Sequence, residues 1–175
     1  MEPVRHVVLL GLMGGGKTSV GRRVAERLGR PLLDGDGILE ERTGGRTAAQ
    51  VAEAEGIEHL HELEAEIALE ALAWSTPAVV GPAASVVELD VVRDAMAEHV
   101  VVWLAGSAEH HAERAVQKDH RPLLDDGDPV ELFRRQLAAR GPLMTQLADL
   151  VIDVEATTKD EQADAVVALV HHARP

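Results

Sequence analysis

One stretch limits what this chain can fold into more than any other. Gly11-Leu12-Met13-Gly14-Gly15-Gly16-Lys17-Thr18 follows the apolar run 7–10 and opens the helix-period segment 18–28. The spacing G-x-x-x-x-G-K-[ST], set between a strand and a helix, is that of a phosphate-binding loop. Glycines let the backbone bend closely enough for successive N–H groups to face phosphate oxygens, and the helix start adds the positive end of its dipole. The pattern assigns Lys17 to the β- and γ-phosphates of a nucleoside triphosphate and the Thr18 hydroxyl to Mg²⁺. The nucleotide contacts then run over Gly11, Met13, Gly14, Gly15, Gly16, Lys17, Thr18 and Ser19. Such a loop specifies a triphosphate site; the reaction has to be read from the rest of the chain.

The remaining sequence repeats the strand-then-helix rhythm. Short apolar runs at 31–33, 78–80, 100–104 and 150–154 alternate with helix-period segments at 38–42, 87–97, 109–116 and 160–172. Short, wholly apolar strands between helices are what a parallel sheet covered on both faces demands. At 175 residues there is room for one core, so the expectation is a single α/β domain over 1–175, a three-layer P-loop fold with a central parallel sheet of about five strands. Two segments stand outside the rhythm. Residues 47–72 are acidic and helical in period, with Leu60, Leu63, Ile67 and Leu72 as the apolar stripe, and read as part of a helical insertion over about 37–72. Residues 117–128 are polar and charged and read as a mobile lid.

Composition narrows the partners. A formal net charge of −13 disfavours a phosphate-backbone footprint on nucleic acid, and three aromatic residues, Trp74, Trp103 and Phe133, leave little for base stacking. No apolar run approaches the length of a membrane span. The expectation is a monomeric cytoplasmic protein whose partner is a small molecule. The absence of cysteine excludes thiolate metal sites and a cysteine nucleophile. His59 and His61, His110 and His111, and His171 and His172 do not share helix faces, so no transition metal is expected.

Asp34 and Asp36 lie two apart at the end of the second apolar run. On a strand that spacing leans both carboxylates toward the carboxyl edge of the sheet, where ligands of open α/β folds bind. A carboxylate pair beside a triphosphate supplies one water-mediated Mg²⁺ ligand and one group that orients an attacking hydroxyl or takes its proton. Arg121, in the polar segment, would counter charge on the transferring group once that segment closes. The run from Glu58 to Glu70 reads as a solvated acidic face, with Glu64 the candidate exception.

The order and spacing of these pieces resemble the shikimate kinase family of P-loop folds over roughly residues 7–153. The resemblance rests on Gly11 to Thr18 with Val20-Gly21-Arg22-Arg23, Leu33-Asp34-Gly35-Asp36, Glu41-Arg42-Thr43-Gly44, Gly56, Glu64, Arg114, Arg121-Pro122-Leu123-Leu124 and Arg140-Gly141-Pro142-Leu143. It implies transfer of the γ-phosphate of MgATP to a hydroxyl of shikimate or a related acceptor. By resemblance Asp34 serves Mg²⁺, Asp36 the acceptor hydroxyl, Arg121 is the lid arginine, Arg114 packs on adenine and Arg140 contacts the acceptor. Lys17, Asp36 and Arg121 form the catalytic set. Two positions depart from the family, both on the acceptor side. His61 stands where the family places an arginine for the shikimate carboxylate, and Ala83-Ala84-Ser85, after Pro82, replace a glycine triplet. A neutral imidazole offers one donor in place of a bidentate charged fork. Two other readings stay open: a kinase of another polyol, such as a gluconate-type sugar acid or a cyclitol, and a catalytically silent nucleotide-binding module. The retained Lys17, Asp34, Asp36 and Arg121 weigh against the silent module.

Overall fold

The computed structural model describes residues 4–117 and 127–173. Within them, strands β1 (Val7–Leu10), β2 (Leu32–Asp34), β3 (Val79–Gly81), β4 (Val100–Ala105) and β5 (Leu150–Asp153) form one sheet in the order β2-β3-β1-β4-β5. Every pairing is parallel, with Val7 opposite Val79 and Val100, and Asp34 opposite Gly81. The expected three-layer α/β architecture is present.

Side chains alternate across a strand, so β1 serves both faces at once. Val7 and Leu9 pack with Val20 and Val24 of α1 (Lys17–Leu28) and with Ala163 and Val166 of α8 (Lys159–His172). Val8 and Leu10 face the other layer, built from α4 (Ile57–Leu72), α5 (Asp90–Ala97), α6 (Ala108–Gln117) and α7 (Pro129–Leu147). All four β1 side chains are at most 1% exposed, each worth roughly 1.5–3 kcal/mol relative to exposure. A smaller cluster of Leu39, Val51, Leu60 and Ile67 joins α4 to α2 (Gly35–Arg42) and α3 (Ala48–Glu55) as a separate helical layer near the first strand ends.

The structure refines the sequence expectation at three places. The 47–72 stretch is two helices, α3 and α4, parted at Gly56, whose φ of +93° suits glycine. Thr47 starts α3 with a capping box, its hydroxyl accepting from the Gln50 N–H while the Gln50 side chain accepts from the Thr47 N–H. The expected helix 87–97 is a 3₁₀ turn over Ala84–Glu88 followed by α5. The 19-residue α7 has no counterpart in the strand-and-helix alternation, because Gly141 and Pro142 sit inside it. Pro142 cannot donate to the Ala138 carbonyl, yet the helix runs through, with Thr145 Oγ1 donating to the Gly141 carbonyl at 2.9 Å. No helix among the described residues is long and apolar enough to cross a membrane.

Two buried histidines tie the sheet's amino end together. His6 Nδ1 accepts from the Ala78 N–H at 3.1 Å, so Nε2 carries the proton and donates to the Leu72 carbonyl at 3.1 Å. His99 Nδ1 accepts from the His6 N–H at 3.4 Å, and the two rings meet edge to face at 4.5 Å. Burial holds both imidazoles below the ordinary histidine value of 6.5. The unfolded chain therefore takes up protons that the folded one refuses, and stability is full above pH 6.5 and falls as pH drops through it. Thermal unfolding followed by circular dichroism is expected to show a midpoint that declines from pH 7.5 to 5. A His6→Leu, His99→Leu double variant should start lower at pH 7.5 and decline less steeply.

Candidate functional site

The loop after β1 is shaped by close approaches. A Cβ on Gly11 would lie 3.0 Å from the Leu104 carbonyl. Gly14 and Gly16 have φ of +79° and +89°, in the left-handed region that glycine enters without penalty. Gly16 begins α1 with no side-chain cap, so the leading N–H groups of that helix remain for an anion. Lys17 Nζ donates to the Gly11 carbonyl at 2.5 Å, and the Gly15 N–H to the Leu12 carbonyl at 3.0 Å, closing the loop on itself.

The second strand brings its acids to the same edge. Asp34 is the last residue of β2, and its two carboxylate oxygens accept from Thr18 Oγ1 at 3.3 and 3.2 Å. Gly35 makes room there: a Cβ on it would stand 3.1 Å from the Gly81 carbonyl. Asp36 does not share the strand with Asp34, contrary to the expectation from spacing; it lies in the first turn of α2 and is exposed. The turn from strand to helix, not strand alternation, sets where its carboxylate stands. Burial pushes Asp34 above the ordinary carboxylate range, with the Asp36 charge adding to the rise and Thr18 and Lys17 opposing it. Burial likewise pulls the Lys17 ammonium down, against the attraction of Asp36, Asp34 and Glu64.

A cleft of about 1020 Å³ joins this edge to the helical layer. Met13, Gly14, Gly16, Lys17, Thr18 and Ser19 line its phosphate end. Asp36, His61, Ala83, Ala84, Ser85 and Arg140 line the remainder, so both halves of the expected site share one cavity. Glu64 lines it too, departing from its acidic face: Ser85 Oγ donates to Glu64 Oε2 at 2.5 Å, and burial raises this carboxyl above its usual range. Arg140 pairs with Glu88 at 3.4 Å, and burial followed by the Arg140 charge keeps His61 below the ordinary histidine value. Gly11, Gly15 and Asp34 stand behind the lining. Arg114 lies on α6 against the loop, where a Cβ on Gly14 would meet its own Cβ at 3.0 Å. Arg121 and most of the expected lid lie outside the described residues. Among the described residues, no three His, Asp or Glu gather as a metal cluster.

Sequence reading missed two side chains here. Lys159 opens α8 with its Nζ against Gly16, where any side chain would strike it. A T-x-x-E capping signal, Thr158 with Glu161, marks that helix start after the last strand and could have placed it. His111 Nδ1 bonds to the Met13 carbonyl at 2.9 Å, a contact made across 98 residues that no local pattern announces.

Comparison with known proteins points to one family. The sequence model of the shikimate kinase family matches residues 13–171. The shikimate kinase of Symbiobacterium thermophilum is 38% identical over 149 residues, covering 84% of this chain and 85% of that protein. The shikimate kinase of Mycobacterium avium is 37% identical over 146 residues, covering 83% and 82%. Among solved structures, shikimate kinase from Acinetobacter baumannii in complex with shikimate superposes with a TM-score of 0.89 at 28% identity, covering 99% of this chain and 96% of that one.

The crowding at Gly16 leads to a direct test. Gly16→Ala places a Cβ at positive φ inside the phosphate loop, a backbone strain that moving the flexible Lys159 side chain aside does not relieve, and isothermal calorimetry is expected to show ATP affinity reduced at least about 10-fold, each decade being about 1.4 kcal/mol. Gly29→Ala, also at positive φ but with open space around it, should leave ATP affinity unchanged.

Proposed function

The chain belongs to the shikimate kinase family, and on that premise we propose that its cleft holds MgATP at one end and a hydroxylated small molecule at the other. The protein is an ATP-dependent kinase with an alcohol group as acceptor, shikimate kinase-like in activity. The observation that carries the assignment of roles is the meeting of Lys17, Thr18, Asp36 and Arg140 around one cavity, with Asp34 bonded to Thr18 behind its lining. In this reading Asp36 orients the acceptor hydroxyl and takes its proton while the oxygen attacks the γ-phosphorus, and ADP departs in line on the opposite side. Lys17 faces the β- and γ-phosphates and balances the charge that develops on them. Thr18 Oγ1 and Asp34 offer hard oxygen donors 3.2 Å apart, a set that suits Mg²⁺ with its remaining waters. When bound, that ion neutralises charge on the phosphates.

The other assignments follow the family pattern. Arg121 is the lid arginine of segment 117–128, Arg114 packs on adenine, and α2 to α4 within about 37–72 form the acceptor wall of a single domain. Arg140, His61, Ser85 and the Ala83-Ala84 backbone surround the acceptor, consistent with their common cavity. The protein is proposed to act as a cytoplasmic monomer without nucleic-acid or membrane partners, a reading supported for nucleic acid by its net charge of −13.

Shikimate is the first acceptor to test, since the Acinetobacter baumannii neighbour holds it. A second acceptor class, a polyol, is favoured by one specific feature: burial and the Arg140 charge hold His61 neutral, and Arg140, the cation beside it among the described residues, is already paired with Glu88. Coupled assays of ADP release across shikimate, a cyclitol and a sugar acid separate the two. Asp36→Asn is expected to lower kcat by at least about 100-fold on whichever acceptor is used, within the usual worth of a general base, and to leave ATP affinity within about 2-fold. Unchanged turnover would remove Asp36 from its role.

A further inference from the structure

A phosphate cradle works only if its N–H groups point inward, which requires the intervening carbonyls to point elsewhere. Three successive carbonyls of this loop are each engaged. The Gly11 carbonyl accepts from Lys17 Nζ, the Leu12 carbonyl from the Gly15 N–H, and the Met13 carbonyl from His111 Nδ1. The first two partners belong to the loop and its helix. The third comes from α6, the element that leads into the segment following residue 117.

We propose that His111 is a positioning residue for nucleotide binding, holding the Met13 carbonyl out of the phosphate cradle through its Nδ1–H. The proposal rests on the reading of this loop as the ATP site. The imidazole is 1% exposed and held from several sides. It stacks on Phe133 of α7, with ring centroids 5.6 Å apart and planes 30° apart. A Cβ on Gly15 would lie 3.4 Å from its Cε1, and a Cβ on Gly106 would lie 3.3 Å from its Nε2. The ring thus lies close against the loop at Gly15, against Gly106 and on Phe133. Because Nδ1 faces a carbonyl, it carries the proton, and Nε2, which has no partner among the described residues, carries the lone pair. Burial, with the neighbouring His110 and Lys17 charges, lowers the pKa to about 4, so one tautomer serves throughout the neutral range. Through this contact the loop is registered against α6 and, by way of Phe133, against the helix that carries Arg140.

The test separates positioning from packing. His111→Leu and His111→Phe fill the site without a donor, the second retaining the stack on Phe133; His111→Asn keeps an N–H donor near the Nδ1 position. Calorimetry with ATP and with ADP is expected to show about 3- to 10-fold weaker binding in the Leu and Phe variants, the range of one lost neutral hydrogen bond. Binding by the Asn variant should stay within about 2-fold of the native protein. In steady-state assays KM for ATP should rise while KM for the acceptor does not. Native affinity in a folded Leu or Phe variant overturns the proposal, as does equal weakening in all three variants, or a lowered unfolding midpoint with nucleotide affinity unmoved. Failure of the native protein to bind either nucleotide would instead overturn the reading of the loop itself, and this proposal with it.

Discussion

The buried strand β1 decides where everything else must stand. Its residues Val7 to Leu10 pair with β3 on one side and β4 on the other, and their side chains divide between two helical layers. A strand wedged this way has no freedom of register, since a shift by one residue would exchange its two faces. The chain leaves it at Gly11, in the middle of the sheet's carboxyl edge, and must turn immediately to begin α1. Parallel pairing delivers the ends of β2, β3, β4 and β5 to the same edge. Asp34, the 83–85 turn, Gly106 and the 155–159 approach to α8 therefore surround the loop by topology alone, before any side-chain preference acts.

Electrostatics then sorts the edge into roles. Lys17 stands within the field of Asp36, Asp34 and Glu64, so its ammonium is attracted by three carboxylates while burial disfavours its charge. Asp34 and Glu64 are each raised by burial, and each is steadied by one hydroxyl, Thr18 and Ser85 respectively. On the proposed reading, a triphosphate entering this arrangement adds its own oxygens to the anionic field around Lys17, whose charge offsets them. The same burial that makes the isolated charges unfavourable strengthens their contacts with a charged ligand.

Local sequence carried the parts of this description that are themselves local. The phosphate loop is eight contiguous residues, and the strands are short and largely apolar, with acids only at the carboxyl ends of β2 and β5, so each could be read in place. The break at Gly56 was not placed because the apolar stripe that marked the insertion, Leu60, Leu63, Ile67 and Leu72, lies wholly within α4 and says nothing of where α3 ends. Helix α7 was hidden for the opposite reason: Gly141 and Pro142 signal an ending that packing against Trp103 and the back-bonded Thr145 override. Asp34 and Asp36 were both singled out, yet the strand argument that grouped them fails at Gly35, where the helix already begins. His111 reaches the site only through a tertiary contact, the bond to the Met13 carbonyl, so nothing in its immediate neighbourhood distinguishes it from a surface residue, and the pairing of Glu64 with Ser85 is likewise set by packing across 21 residues.

The side chains at the proposed acceptor end are already partnered before a ligand arrives. Arg140 is only 13% exposed and turned toward Glu88, the Ser85 hydroxyl is given to Glu64, and His61 is kept neutral by burial and by the adjacent guanidinium. An incoming molecule must therefore exchange bonds with these partners instead of filling vacant donors. Exchange of one hydroxyl for another is nearly neutral, whereas drawing Arg140 away from Glu88 leaves a carboxylate to be resolvated. The Cβ atoms of Ala83 and Ala84 fill space beside the same wall, which keeps a ligand from approaching the turn's backbone as closely as glycine would allow. On the proposed reading, recognition at this end rests on how many hydroxyls a ligand can match to Asp36, Glu64, Ser85 and His61, with Arg140 the cation beside them among the described residues.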